Sequence, residues 1–325
     1  MVIDIHAHCL PAELLEAARG EAKRFPNVEL IERDGGTSLA FAGHPPTRPV
    51  NPKLRNHPPR LDFMREQGID QQLPGGWLDA FGYELPPEEG ADWSRFTNEH
   101  TLTACRSLPG VTPLATVPLQ DGKLAAEVLR EAVDAGMPGA MIGTQPFGNH
   151  GNLDDPMLDP FWEAAAELAV PIVVHPMFGS ADARLNDFEM MNAVGRVSDV
   201  SIAIARLLFS GHLLRYPELV MVASTGGGAL PYMLGRLARN HAAFPGRFAD
   251  PEEGFSRLYF DSIVFHTDVL RYLADKVGVE RIMLGSDYPF PIGDPNPRSV
   301  VETAGFTTAE VDLMLSGVAR GLFKL

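Results

Sequence analysis

The chain has 325 residues, 45% of them hydrophobic and 21% charged, and a formal net charge of −15. This composition excludes disordered and collagen-like classes, the length suits one large α/β barrel, and the acidity argues against nucleic acid and anionic membranes as partners. No apolar run approaches the roughly 18 residues of a membrane span, no secretory signal pattern opens the chain, and Cys9 and Cys105 offer no disulfide framework, so the expected compartment is the cytoplasm.

A short apolar strand over residues 2–5 runs directly into His6-Ala7-His8. Residues i and i+2 of a strand share a face, so His6 and His8 project together and offer two ligands to a divalent metal. Cys9 has the parity of Ala7 and reads as a small buried residue pointing away. A helix over 12–19 follows. Residues 20–58 are rich in Gly, Pro, Arg and Asn and carry short alternating pieces, which predict a small β-rich cap inserted after strand one. Within it, Arg48 and Arg55 are candidates to hold a substrate carboxylate.

From residue 60 the pattern alternates. Strands are predicted over 68–73, 112–117, 139–143, 171–176, 219–223, 258–262 and 281–285. Helices are predicted over 61–67, 97–107, 121–135, 156–169, 197–214, 228–242 and 267–276. With the first strand this makes eight β-α units, and near-continuous apolar strands indicate a parallel sheet covered on both faces. The expected fold is a single (β/α)8 barrel spanning 1–325. An open doubly wound sheet is the second choice, weakened because no Gly-x-Gly-x-x-Gly turn follows strand one.

Barrel sites form at the C-terminal ends of the strands. Strand one ends at His6 and His8, strand five at His175, and strand eight at Asp287. Three imidazoles and a carboxylate are a donor set for zinc or a similar ion. Asp287 is also the expected general base beside a metal-bound water. Strand six ends in Ser224-Thr225-Gly226-Gly227-Gly228, whose glycines allow close backbone approach to a ligand or simply a tight turn. Thr225 can donate and accept a hydrogen bond but is no base at neutral pH. His266, just after strand seven, is the nearest alternative.

His6-Ala7-His8 with Pro11, Val174-His175-Pro176, Gly226-Gly227-Gly228-Ala229-Leu230-Pro231 with Gly235-Arg236, and Gly285-Ser286-Asp287-Tyr288-Pro289-Phe290-Pro291 together resemble the amidohydrolase superfamily. Within it the chain resembles the branch of 2-amino-3-carboxymuconate-6-semialdehyde decarboxylase. The resemblance spans nearly the whole chain. It implies a distorted (β/α)8 barrel, one divalent metal with zinc as the expected ion, and His6, His8, His175 and Asp287 as ligands. It further implies a homodimer in which Arg236 reaches the neighbouring site and binds substrate carboxylate. On its own helix Arg236 lies opposite an expected apolar face of Leu230, Met233, Leu234 and Leu237.

The family's strand-six histidine aligns with Thr225, its pocket tryptophan with about Asn192, and its Gly-Asn-Ala pattern with Gly317-Val318-Ala319. The expected activity is metal-dependent decarboxylation of a small unsaturated or aromatic carboxylic acid, with Asn192, Arg236, Arg48 and Arg55 as substrate-binding candidates. The alternative is a metal-dependent hydrolase of a lactone, amide or cyclic imide with Asp287 as base. A metal-binding protein without turnover is a third reading.

Overall fold

The first strand sets the frame. β1 (Ile3–Cys9) is buried along its whole length, so its apolar residues pack under the surrounding helices while its histidines face inward. The computed structural model describes residues 1–33, 35–148, 150–177 and 182–325. After β1, β2 (Val28–Arg33) and β3 (Gly36–Phe41) form an antiparallel hairpin. β4 (Gln71–Gly76) pairs in parallel with β1. β5 (Ala140–Gly143), β6 (Pro171–His175), β7 (Val220–Ala223), β8 (Tyr259–Asp261) and β9 (Ile282–Met283) form one five-stranded parallel sheet in that order.

Isolated parallel bridges join these ladders into a ring. Gln72 pairs with Val111, Ala115 with Ala140, and Ala7 with Tyr288. Hydrogen bonds reinforce the last seam: Ile5 N donates to Leu284 O at 2.9 Å and His8 N to Tyr288 O at 2.7 Å. The chain is therefore an α/β protein with the distorted (β/α)8 arrangement, in which some staves are hydrogen-bonded chain without a regular ladder. The expected strand over 112–117 is one of these. Pro113 and Pro118 have no N–H to donate, and only Val111 and Ala115 make bridges.

Other boundaries differ for equally local reasons. The helix expected over 97–107 runs from Pro87 to Arg106, with proline in its first turn where the missing N–H costs nothing. The helix expected over 197–214 divides into Arg196–Phe209 and His212–Arg215 at Gly211, whose φ is +77°. The helix expected from 228 starts at Leu230, because Gly226, Gly227 and Gly228 all have positive φ and turn the chain first.

The barrel core is a continuous apolar cluster with Ile3, Ile5, Leu73, Ile142, Val173, Val222, Phe260 and Leu284 in its walls. A second cluster lies under the hairpin, where Leu39 and Phe41 pack with Leu14, Phe25, Trp77, Trp93 and Phe96. Full burial of one such side chain stabilises by roughly 1.5–3 kcal/mol. This cluster anchors the hairpin to the mouth end of the barrel through Leu10, which directly follows β1.

Candidate metal centre

His6 and His8 lie within β1, His175 ends β6, and Asp287 lies four residues beyond β9. All four are buried, and one donor atom from each lies within 4.8 Å of the others. Asp287 reaches this position with φ +58°, a left-handed conformation that is uncommon outside glycine, and its N–H donates to His6 O at 2.7 Å.

The outer ring nitrogens fix the tautomers. His6 Nδ1 donates to Asp261 Oδ2 at 2.6 Å. His8 Nδ1 donates to Gly76 O at 3.0 Å, and His175 Nδ1 to Pro176 O at 3.0 Å. Each acceptor is a carboxylate or carbonyl, so each Nδ1 carries the proton and each Nε2 presents a lone pair to the centre. His6 Nε2 is buried with no hydrogen-bond partner among the described residues. His8 Nε2 stands 3.0 Å from Asp287 Oδ1. Two acceptors at that distance repel unless a cation or a proton lies between them. The donor set, its convergence and these facing lone pairs fit a divalent ion.

Burial favours the neutral form of two of the three imidazoles. His175 is pushed well below the ordinary imidazole range, first by burial and then by the charges of His8, His6 and Arg196. Burial likewise lowers His8. At His6 burial acts the same way, but the hydrogen bond and charge of Asp261 outweigh it and raise the pKa. At Asp287 burial opposes ionisation, and the adjoining His8 and His6 rings outweigh it, so its pKa falls.

Three polar residues around the cluster escaped the sequence reading. Asp261 ends β8, is fully buried, and accepts from His6, from Thr225 N at 2.9 Å and from Gly226 N at 2.8 Å. Asp4 accepts from His6 N at 3.1 Å, Gln72 Nε2 at 2.8 Å and Ser286 Oγ at 2.6 Å, tying three staves together. Arg60 is 1% exposed, donates to His8 O and to Gln72, and lies 5.0 Å from the Tyr288 ring centre. Asp261 was the most legible of these, as a carboxylate at the end of an apolar strand.

A cavity of about 290 Å³ opens beside the cluster. His175, Asp287, Thr225, Asn192 and Arg196 supply its polar lining, and Ile263, Val264, Phe265, Val269 and Ile292 an apolar wall. Thr225 and Asn192 thus stand at the cavity. The Thr225 hydroxyl donates to Ser224 O at 2.7 Å. His266 is exposed and outside the lining, whereas Ile263, Val264 and Phe265 of its loop belong to it. Arg48 is largely exposed and ion-paired with Asp79 at 3.2 Å. Arg55 follows Leu54 on a short helix of the insertion and lies outside the lining. Arg236 is exposed on its helix. The buried face of that helix is Leu230, Pro231 and Leu237; Met233 is 39% exposed and belongs to the rim, contrary to the expected apolar stripe.

A parallel α/β barrel with three imidazoles and a carboxylate converging at its strand ends defines a metal-dependent enzyme class. The chain belongs to the amidohydrolase family, whose model matches residues 3–325. It is 26% identical over 320 residues to 2-amino-3-carboxymuconate-6-semialdehyde decarboxylase of Dictyostelium discoideum, covering 93% of this chain and 85% of the relative. It is 28% identical over 291 residues to gamma-resorcylate decarboxylase of a Rhizobium species, covering 82% and 86%. Among solved structures, dihydroxybenzoic acid decarboxylase from a Polaromonas species, determined with bound manganese and the inhibitor 2-nitroresorcinol, superposes with a TM-score of 0.79. That match is 21% identical and covers 100% of this chain and 97% of the other.

Proposed function

We propose that this protein is a metal-dependent decarboxylase of a small aromatic or unsaturated carboxylic acid. The observation that carries the reading is the convergence of three Nε2 lone pairs and the Asp287 carboxylate beside a cavity with an apolar wall. The cavity is small for a ligand site, matched to one substituted ring. The activities of the relatives support the same reading.

His6, His8, His175 and Asp287 would hold the ion. When bound, it supplies Lewis-acid polarisation of a substrate oxygen. Decarboxylation breaks the bond between the ring or vinyl carbon and the carboxyl carbon, releases carbon dioxide, and requires one proton at the vacated carbon. Asp287 is the one carboxyl group among the described residues of the lining; as a carboxylate it takes a proton from a substrate hydroxyl or from water and passes it to that carbon. Thr225 is not the donor; its hydroxyl is committed to Ser224 O, and it shapes the pocket floor. The apolar wall holds the ring and excludes water from the site of protonation.

Zinc is the ion we assign, on the strength of three imidazoles and one carboxylate. The protein works in a reducing cytoplasm, a reading supported by two buried free cysteines. No helix of the described residues is long and apolar enough to cross a membrane. The active form is a homodimer. Tyr232 is 84% exposed beside Arg236, and Tyr272 Oη donates to Pro231 O at 3.1 Å, so the two rim helices make a continuous surface for a second copy.

The test is turnover. Metal-loaded protein offered hydroxylated aromatic acids should release carbon dioxide, and Asp287→Asn should lose that activity with its fold intact. A wild-type protein that carries metal but releases no carbon dioxide from any such acid overturns the reading.

A further inference from the structure

We infer that Arg196 is the anchor for the substrate's anionic group, a role that rests on the decarboxylase reading for its substrate class but not for its geometry. Arg196 begins the helix Arg196–Phe209, which continues directly from the wider turn Met191–Gly195. Residues 192, 193, 196 and 197 all line the cavity. That spacing is one face of a helix, so the side chains of Asn192 and Arg196 stand one turn apart on the same wall. Arg196 Nη2 donates to Pro176 O at 3.3 Å, which sets the guanidinium beside His175.

Among the described residues of the lining, Arg196 is the one arginine or lysine and Asp287 the one carboxylate. Burial is the largest influence on Arg196 and opposes its charge, while Asp287 and Asp79 are the leading charges that support it. The cavity presents the Arg196 side chain together with an apolar wall of Ile263, Val264 and Ile292, so a planar carboxylate on an apolar ring can be met by guanidinium N–H donors. The ligand this selects is a flat apolar ring bearing an anionic oxygen group on one edge.

The test uses metal-loaded wild type, Arg196→Gln and Arg196→Lys, titrated calorimetrically with 2,6-dihydroxybenzoate and with neutral resorcinol. Arg196→Gln should weaken the acid about 10- to 100-fold, the range for a hydrogen bond to a charged group. Arg196→Lys should recover part of that loss, because the charge returns without the fork. Resorcinol binding should change less than about threefold, a bound set by surface-like effects outside the lost ion pair. Metal content should stay at the wild-type level. Equal weakening of both ligands, loss of metal with Arg196→Lys, unchanged acid binding in Arg196→Gln, or no acid binding by wild type each overturns the inference. A wild type that binds the acid with the expected Arg196 dependence yet releases no carbon dioxide overturns the decarboxylase reading and leaves the anchor standing.

Discussion

His6 Nδ1 and Asp261 Oδ2 stand 2.6 Å apart, fully buried, across a sequence separation of 255 residues. This contact sets which nitrogen of His6 faces the metal position. The same carboxylate receives the N–H groups of Thr225 and Gly226, so one side chain orients a ligand and shapes the turn after β7. Outer partners of metal-bound histidines typically change affinity or activity about 10- to 100-fold. Asp261→Asn should therefore lower metal affinity by about that factor, read by competition with a colorimetric chelator. Wild-type affinity in a folded Asp261→Asn protein would show that the contact is only structural.

The ion should also stabilise the fold, since β1, β6 and the segment after β9 each contribute ligands. Free metal at a hundredfold excess over its dissociation constant stabilises by about 2.7 kcal/mol. Chelation should lower the melting temperature, and zinc or manganese should restore it. His175→Ala should make the melting temperature insensitive to both chelator and metal. A melting curve of wild type that ignores chelation would remove the ion from the account of stability.

The proton carrier separates two residues that both line the cavity. Asp287→Asn should reduce kcat by at least about 10²-fold, the lower range for a positioned acid or base. Thr225→Val keeps the backbone N–H that Asp261 accepts and removes only the hydroxyl bound to Ser224 O. It should reduce kcat by less than about tenfold, since one neutral hydrogen bond contributes about 1 kcal/mol. A loss at Thr225 as large as that at Asp287 would place the threonine in the chemistry.

A pH effect on stability should come from His212, away from the metal cluster. Its side chain is 1% exposed. Arg215 Nη2, a donor only, lies 3.0 Å from Nε2, so Nε2 accepts and Nδ1 donates to Ser210 Oγ at 2.7 Å. Burial, followed by the Arg215 charge, holds its pKa below the ordinary value. The unfolded chain therefore takes up this proton first as pH falls. The contribution is complete above the unfolded value of about 6.5 and is lost below it at up to about 1.4 kcal/mol per pH unit. Urea unfolding from pH 7.5 to 5 should show His212→Asn losing less stability on acidification than wild type; parallel curves would contradict this.

Much of this was legible in the sequence because the signals are local. A strand's parity places His6 with His8, and the β-α alternation places residues 6, 175 and 287 at one end of the barrel. The third stave was misread because Pro113 interrupts the ladder inside an otherwise strand-like run. Asp261 and Arg60 were missed because their importance lies in partners far along the chain, which no spacing reveals. Arg196 lies one residue ahead of the helix expected over 197–214 and was not among the candidates; only the fold brings residues 192, 193, 196 and 197 to one cavity. His266 was favoured by its nearness to strand seven, yet its side chain is exposed.

The central claim is that the ion held by His6, His8, His175 and Asp287 serves decarboxylation. The most direct measurement follows carboxyl-labelled hydroxybenzoic acids with metal-loaded and chelated protein and counts labelled carbon dioxide against acid consumed. The account predicts one carbon dioxide per acid lost, only with metal present. Metal-dependent opening of a lactone or imide, with every carboxylic acid left intact, would contradict it.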